Sequence, residues 1–281
     1  MIGIIGGTGL YAMRGFGSVR AHEVQTPFGA PSGPLVRGTL GAREVVFLAR
    51  HGEGHRLLPG EINFRANIWA LKSVGVRTVI AVSAVGSLRE DIRPGDLTLP
   101  SQFLDFTRGT RAASFFGGGV VAHVSSAQPV CASTAALIAR LARPLGLTVH
   151  EGRTYACVEG PRLGTRAESL FLRAAGADVV GMTNVPEVFL ALEAQLGYCG
   201  LALATDYDSW LEDPAQHVSA AQIVALFRDN LERVQQLLTA VAAEYSEDES
   251  RRCRHSLKGA LVTPLENLSA EQRALLDFLL I

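Results

Sequence analysis

Four polar clusters stand directly behind short apolar runs, and their residue types suit the holding of an anion beside a heterocycle. Arg50-His51 follows VVFLA, Ser83-Ala84-Val85-Gly86 follows TVIAV, Met182-Thr183 follows DVVG, and Thr205-Asp206-Tyr207-Asp208 follows LALA. Thr8 stands in the same relation to the first apolar run. Together they offer a fixed cation, an imidazole, hydroxyls and backbone N–H donors, which suits an oxyanion such as inorganic phosphate. Asp206 and Asp208 are wrong for phosphate and right for donors on a heterocyclic base. In open α/β sheets, ligands bind at the carboxyl ends of strands. Residue type alone leaves plainer readings open: a surface ion pair for Arg50, and turn positions for Asp206 and Asp208.

Other chemistries lack their motifs. Neither lysine, Lys72 or Lys258, follows a glycine, so no Walker phosphate loop exists. No Gly-x-Ser-x-Gly elbow is present. Two glycines between His51 and His55 disfavour the helix that a zinc-binding histidine pair needs. Cys131, Cys157, Cys199 and Cys253 are far apart, without a Cys-x-x-Cys pair, so buried thiols are expected and no metal site. Gly7-Thr8-Gly9-Leu10-Tyr11-Ala12 superficially fits a dinucleotide fingerprint, yet glycines and prolines follow where that motif needs a helix. The same glycines form either a tight strand-to-loop turn or an anion-binding nest.

These clusters need elements to position them. Residues 2–5, 44–49, 78–82, 96–100, 178–182 and 201–204 read as strands by their apolar, β-branched content. Residues 62–74, 134–145, 165–175 and 186–196 read as helices, the last with a proline at its tolerated first position. Residues 218–243 carry apolar positions at helical spacing, with a capping box from Ser219 to Gln222. Residues 244–254 (EYSEDESRRCR) read as a solvated link, and 269–281 as a short helix with its own Ser-x-x-Gln start. The alternation predicts an α/β protein of one domain, with a body at 1–243 and a C-terminal extension, 244–281, packed on it.

Composition agrees with a globular protein. In 281 residues, 26 basic and 27 acidic side chains leave a net charge of −1, against a nucleic-acid binder. Hydrophobic residues make up 48% and charged residues 19%, which excludes a disordered chain. No secretory signal and no apolar run of about 20 residues is visible, so no membrane association and a cytoplasmic location are expected.

Six ordered motifs, IIGGTGL, LARHGEGHRLLPGEINFRANIWALK, SAVGSLREDIRPGD, VEGPRLGTRAES, GMTNVPEVFLALE and ATDYDSW, carry a resemblance. Across roughly residues 2–240 the chain resembles the methylthioadenosine-cleaving branch of the trimeric purine nucleoside phosphorylase family. The resemblance implies a phosphorylase fold, a mixed central sheet surrounded by helices, and a homotrimer or dimer of trimers. It implies a nucleoside and inorganic phosphate as substrates, with no metal or organic cofactor. Residue by residue, it assigns Thr8, Arg50, His51, Ser83, Ala84 and Thr183 to phosphate, Met182 to the ribose, and Asp206 and Asp208 to the purine. Asp206 becomes the general acid and Tyr207 lies within the substrate-binding run. His123 matches a histidine lent by a neighbouring subunit.

The activity so implied is phosphorolysis of 5′-methylthioadenosine to adenine and 5-methylthioribose 1-phosphate; 6-oxopurine thionucleosides and adenosine are the alternatives. A non-catalytic nucleotide-binding protein would not need both the anion cluster and the acids. One departure concerns specificity: Leu163 and Gly164 replace the aromatic residue and serine that the family often carries beside the base. Ala220, with Ile223 and Val224, is expected to line an apolar 5′ pocket.

Overall fold

The computed structural model describes residues 1–7, 16–212, 220–247 and 252–281, the side chain of Ala220 excepted. Among these, the strands in chain order are β1 (Ile2–Gly6), β2 (Phe16–His22), β3 (Leu35–Leu40), β4 (Arg43–Ala49), β5 (Thr78–Ser87), β6 (Leu97–Phe106), β7 (Val149–Val158), β8 (Val179–Gly181) and β9 (Gly197–Asp206). The α-helices are α1 (Phe64–Ser73), α2 (Ala132–Ala142), α3 (Arg166–Ala174), α4 (Asn184–Glu193), α5 (Ala220–Glu244) and α6 (Ala270–Leu280).

The strands form one mixed sheet in the order β2-β3-β4-β1-β5-β8-β7-β6-β9, and β9 returns to pair with β5. That last pairing closes β5 to β9 into a ring, with β2, β3, β4 and β1 as an open wing. At the centre β1 runs parallel to both β4 and β5, and β5 runs parallel to β9. Every residue of β1 and β9 is buried, as the unbroken apolar runs of central parallel strands require.

Alternate side chains of these strands enter opposite layers. Ile5, Val46 and Leu48 pack with Ile68 and Leu71 of α1 and Val188 and Leu190 of α4. Ile4, Phe47 and Ile80 pack with Ile138 of α2 and Leu237, Leu238 and Val241 of α5. The expected α/β architecture is therefore the observed one, with helices on both faces of the sheet.

Several element limits differ from the sequence reading. The strand expected at 78–82 continues to Ser87, so Ser83–Gly86 lies within β5 rather than behind it. Likewise β9 starts at Gly197 and carries Thr205 and Asp206 at its end. The helix expected at 134–145 stops at Ala142; a short turn follows and ends at Gly146, whose φ of 66° is left-handed. β2, β3 and β7 have no counterpart in the sequence reading. Five of the seven β2 residues are exposed at the sheet edge, and the first half of β7 is polar, so neither shows a strand's apolar pattern.

The segment read as a solvated link is instead partly buried. Tyr245, Cys253 and Arg254 are all buried, while residues 248–251 lie outside the described residues. The Tyr245 hydroxyl meets Thr78 Oγ1 at 2.6 Å. Arg254 donates to the carbonyls of Arg77 and Gln195, so its charge is spent on backbone acceptors rather than on water. Beyond it, Ser269 and Gln272 form the expected capping box of α6. Leu257, Ala260 and Leu279 join the core beside α1, and Phe278 stacks on Trp69 at 3.7 Å between ring centroids. All four cysteines are buried thiols. No described helix is long and apolar enough to cross a membrane.

Candidate active site

Strand register gathers the polar clusters. Gly6 stands opposite Ala49, and Ile5 opposite Ala81, so the chain leaving β1 and β4 comes level with Ser83. The Arg50 N–H donates to the Gly6 carbonyl at 2.9 Å and fixes that level. On the other side of β5, Gly86 is opposite Asp206 of β9 and Val180 of β8. Gly86 suits this close approach: a Cβ there would stand 3.0 Å from Asp208 Cβ and 3.2 Å from a Val180 methyl, so a larger residue would press on both. Gly7, Arg50, His51, Ser83, Ala84, Met182, Thr183, Asp206 and Asp208 consequently line one cavity of roughly 890 Å³.

The anion-binding candidates form one end. Arg50 is 2% exposed, not a surface residue. Its Nε and Nη2 donate to Glu187 Oε2 and Oε1 at 2.8 and 2.9 Å, and Nη1 donates to the Val82 carbonyl at 2.9 Å. The Tyr198 hydroxyl adds a 2.9 Å bond to Glu187 Oε1. Burial opposes the Arg50 charge, but the Glu187 carboxylate more than offsets it, and the guanidinium stays charged with N–H groups left for the cavity. Ser83 Oγ is buried with no hydrogen-bond partner, an orphan donor on the cavity wall. Such a group is stabilised when a ligand pairs with it.

His51 is held neutral. Burial pushes its pKa down to about 4, with smaller contributions from the Arg50 charge and His55. Its Nδ1 lies 2.9 Å from the Leu57 carbonyl, which only accepts, so the proton sits on Nδ1 and Nε2 is left as an acceptor. His55 stacks on His51 at 4.1 Å and lines the cavity as well.

The two acids form the other end. Asp206 is buried, and that burial raises its carboxyl pKa; the charge of Asp208 acts in the same direction. Its Oδ1 pairs with the Thr205 hydroxyl at 2.7 Å, and its Oδ2 accepts the Asp208 N–H at 2.9 Å. Thr205 Oγ1 is also 3.2 Å from the Val85 carbonyl. Both bonds to Asp206 favour its ionised form and offset part of what burial and the Asp208 charge do, and the net shift is upward.

Arg111 binds the middle of the cavity together and carries no motif that would single it out in the sequence. Its guanidinium donates to the Met182 and Val185 carbonyls, both at 2.7 Å, and to the Glu159 carbonyl at 3.0 Å. It also pairs with the Glu159 carboxylate at 3.1 Å. Glu159, Gly160 and the Met182 loop are so held together. Ile223, Val224 and Phe227 of α5 supply an apolar wall, with Leu163, Phe106 and Phe171 at the cavity margin.

Some expected site residues stand elsewhere. Tyr207 does not line the cavity; its ring packs edge-on against Trp210 at 6.0 Å. His123 is exposed, away from this chain's own cavity, and its N–H donates to the Ala260 carbonyl at 2.8 Å. Thr8 and the expected helix cap Ser219 lie outside the described residues, as does the side chain of Ala220. Leu163 and Gly164 both line the cavity, and a Cβ on Gly164 would still stand 3.8 Å from Asp208 Oδ2.

Comparison with known proteins places this geometry among relatives. The profile of the phosphorylase superfamily matches residues 1–245. A protein of Geobacter sulfurreducens named S-methyl-5′-thioadenosine phosphorylase is 47% identical over 280 residues, covering 100% of this chain and 98% of the relative. One of the same name from Saccharolobus solfataricus is 49% identical, covering 93% and 97%. The crystal structure of a methylthioadenosine phosphorylase from an antarctic soil metagenomic library superposes with a TM-score of 0.92 at 43% identity, covering 100% and 98%. The methylthioadenosine phosphorylase of Schistosoma mansoni in complex with adenine gives 0.86 at 35% identity, covering 93% and 98%.

Proposed function

The chain belongs to the phosphorylase superfamily, and we propose that it catalyses phosphorolysis of 5′-methylthioadenosine to adenine and 5-methylthioribose 1-phosphate. The observation that carries the reading is one cavity holding a buried cation and an unpaired hydroxyl at one end and a buried carboxyl of raised pKa at the other. Relatives of that name across the whole chain support it.

In this reading phosphate lies against Arg50, Ser83, Ala84 and Thr183, with Thr8 completing the set. Neutral His51 accepts a hydrogen bond at Nε2 from the protonated oxygen of hydrogenphosphate and so orients the remaining oxygens. Phosphate attacks the anomeric carbon from the face opposite the purine. The glycosidic bond breaks ahead of the attack, and phosphate oxygens stabilise the positive charge on the ribose. Met182 packs against that ribose. Asp206 delivers its proton to N7, so the purine leaves as a neutral base. Asp208 accepts from the exocyclic N6–H. Against a 6-oxopurine that carboxylate would face another acceptor, a mismatch that buried sites penalise heavily.

The wall of Ile223 and Val224 suits a methylthio group better than a hydroxyl. Phosphate enters as co-substrate, and no cofactor or metal takes part. The remaining assignments follow the resemblance: a homotrimer in the cytoplasm, in methionine and purine salvage, with His123 reaching a neighbour's 5′ pocket. The test is release of free base from methylthioadenosine, adenosine, methylthioinosine and guanosine, with and without phosphate. Phosphate-dependent adenine release fastest from methylthioadenosine is expected. Release without phosphate, or preference for a 6-oxopurine, overturns the reading.

A further inference from the structure

Asp208 sits in the left-handed backbone region with φ of 51°, a conformation costly to a side-chain-bearing residue unless its surroundings hold it. Its Cβ lies over Gly86, and its Oδ2 lies beside Gly164. These two residues, without side chains, leave room beside it and supply no side-chain contact of their own to its carboxylate. Its N–H is spent on Asp206. What reaches the carboxylate itself is the hydroxyl of Ser169, hydrogen-bonded to Asp208 Oδ2.

Ser169 is wholly buried on α3, a helix held at its start by the reciprocal Thr165–Glu168 capping box. Its hydroxyl also lies 3.1 Å from the Thr165 carbonyl. That carbonyl already accepts Ser169's own N–H at 3.0 Å. A hydroxyl has one proton to give, and a carboxylate acceptor makes a stronger bond than an amide carbonyl that is already paired. The proton therefore goes to Asp208 Oδ2, and Oδ1 is left for the ligand.

We infer that Ser169 is a positioning residue that fixes the Asp208 carboxylate for the exocyclic amino group of the purine. This rests on the proposed function and adds a residue to it. Ser169 makes its contribution through Asp208, by removing the rotational freedom that the carboxylate would otherwise lose on binding. The loss of Ser169 must then be felt by substrates that present an N6–H and not by those without one.

The experiment measures kcat and KM for the wild type, Ser169→Ala and Ser169→Thr on 5′-methylthioadenosine and on its analogue with hydrogen in place of the 6-amino group. Ser169→Ala is expected to raise KM for methylthioadenosine about tenfold, the scale of one hydrogen bond to a charged group, with kcat changed less. KM for the analogue should stay within about twofold of wild type, within the scatter of a neutral substitution. Ser169→Thr restores the discrimination. If Ser169→Ala does not fold, Ser169→Cys, a weak donor of similar shape, takes its place in the same comparison. Equal losses on both substrates, or no loss on either, overturn the inference while leaving the proposed function intact. A wild type inactive on methylthioadenosine overturns the proposed function itself.

Discussion

A carboxyl that is to donate a proton at neutral pH must hold it above the ordinary carboxylate range. Asp206 meets this chiefly through burial, helped by the neighbouring charge of Asp208. In the proposed mechanism an ionised Asp206 cannot act as the acid, so kcat is expected to fall as pH rises through its raised pKa. Asn in its place has no acidic proton to deliver. Asp206→Asn should lower kcat/KM for methylthioadenosine by at least ~100-fold, the low end of general acid catalysis, and remove that alkaline limb. Steady-state rates across pH read both; an Asn variant with the wild-type rate and profile removes Asp206 from the chemistry. At this scale Arg50, Ser83 and the two acids were legible, because polar residues behind apolar runs stand out. Glu187 was not: it is 137 positions from Arg50, inside a largely apolar helix, and only folding brings the two charges together. Arg111 was hidden for the same reason, since its partners are mostly backbone carbonyls, which leave no mark on residue type.

Elements were legible where burial is one-sided or complete. The apolar spacing of α1 and the Ser-x-x-Gln cap of α6 are local signals, as are the unbroken apolar runs within β1 and β4. β7 escaped because its first half is polar and only half-buried while its second half is largely core. The charged segment before α6 misled for a converse reason: Arg254 is buried on backbone acceptors, whereas composition alone places arginine in water. The tail is consequently part of the fold's stability. Leu279 is 0% exposed in the core beside α1, and its neighbour Phe278 stacks on Trp69. Leu279→Ala should cost about 2–5 kcal/mol, the transfer loss plus a cavity. Urea unfolding measures it, at a constant oligomeric state. A change below about 0.5 kcal/mol, typical of exposed positions, would show that α6 is not docked as described.

On the scale of the whole molecule, six motifs in order made the family legible, while the assembly leaves no such mark. One chain holds both acids and most of the anion cluster in its own cavity, yet His123 stands exposed elsewhere on its surface. The margins of that cavity remain uncovered: Phe171 is 61% and Val224 65% exposed. The loop carrying His123 also leaves Val121 and the adjoining Val262 largely exposed. If a second copy lends His123 to this cavity, each site needs residues from two chains. The protein should then sediment at about three times 29.9 kDa or a multiple of that, and the monomer should be nearly inactive on methylthioadenosine. A sharper test mixes two weakened variants, Asp206→Asn and His123→Ala, through dissociation and reassembly. Sharing between chains rebuilds some sites with Asp206 from one parent and His123 from the other, so activity should rise above the mean of the two parents. Were His123 to serve only its own chain, or no site at all, the mixture would stay at that mean. A fully active monomer would likewise contradict the shared site.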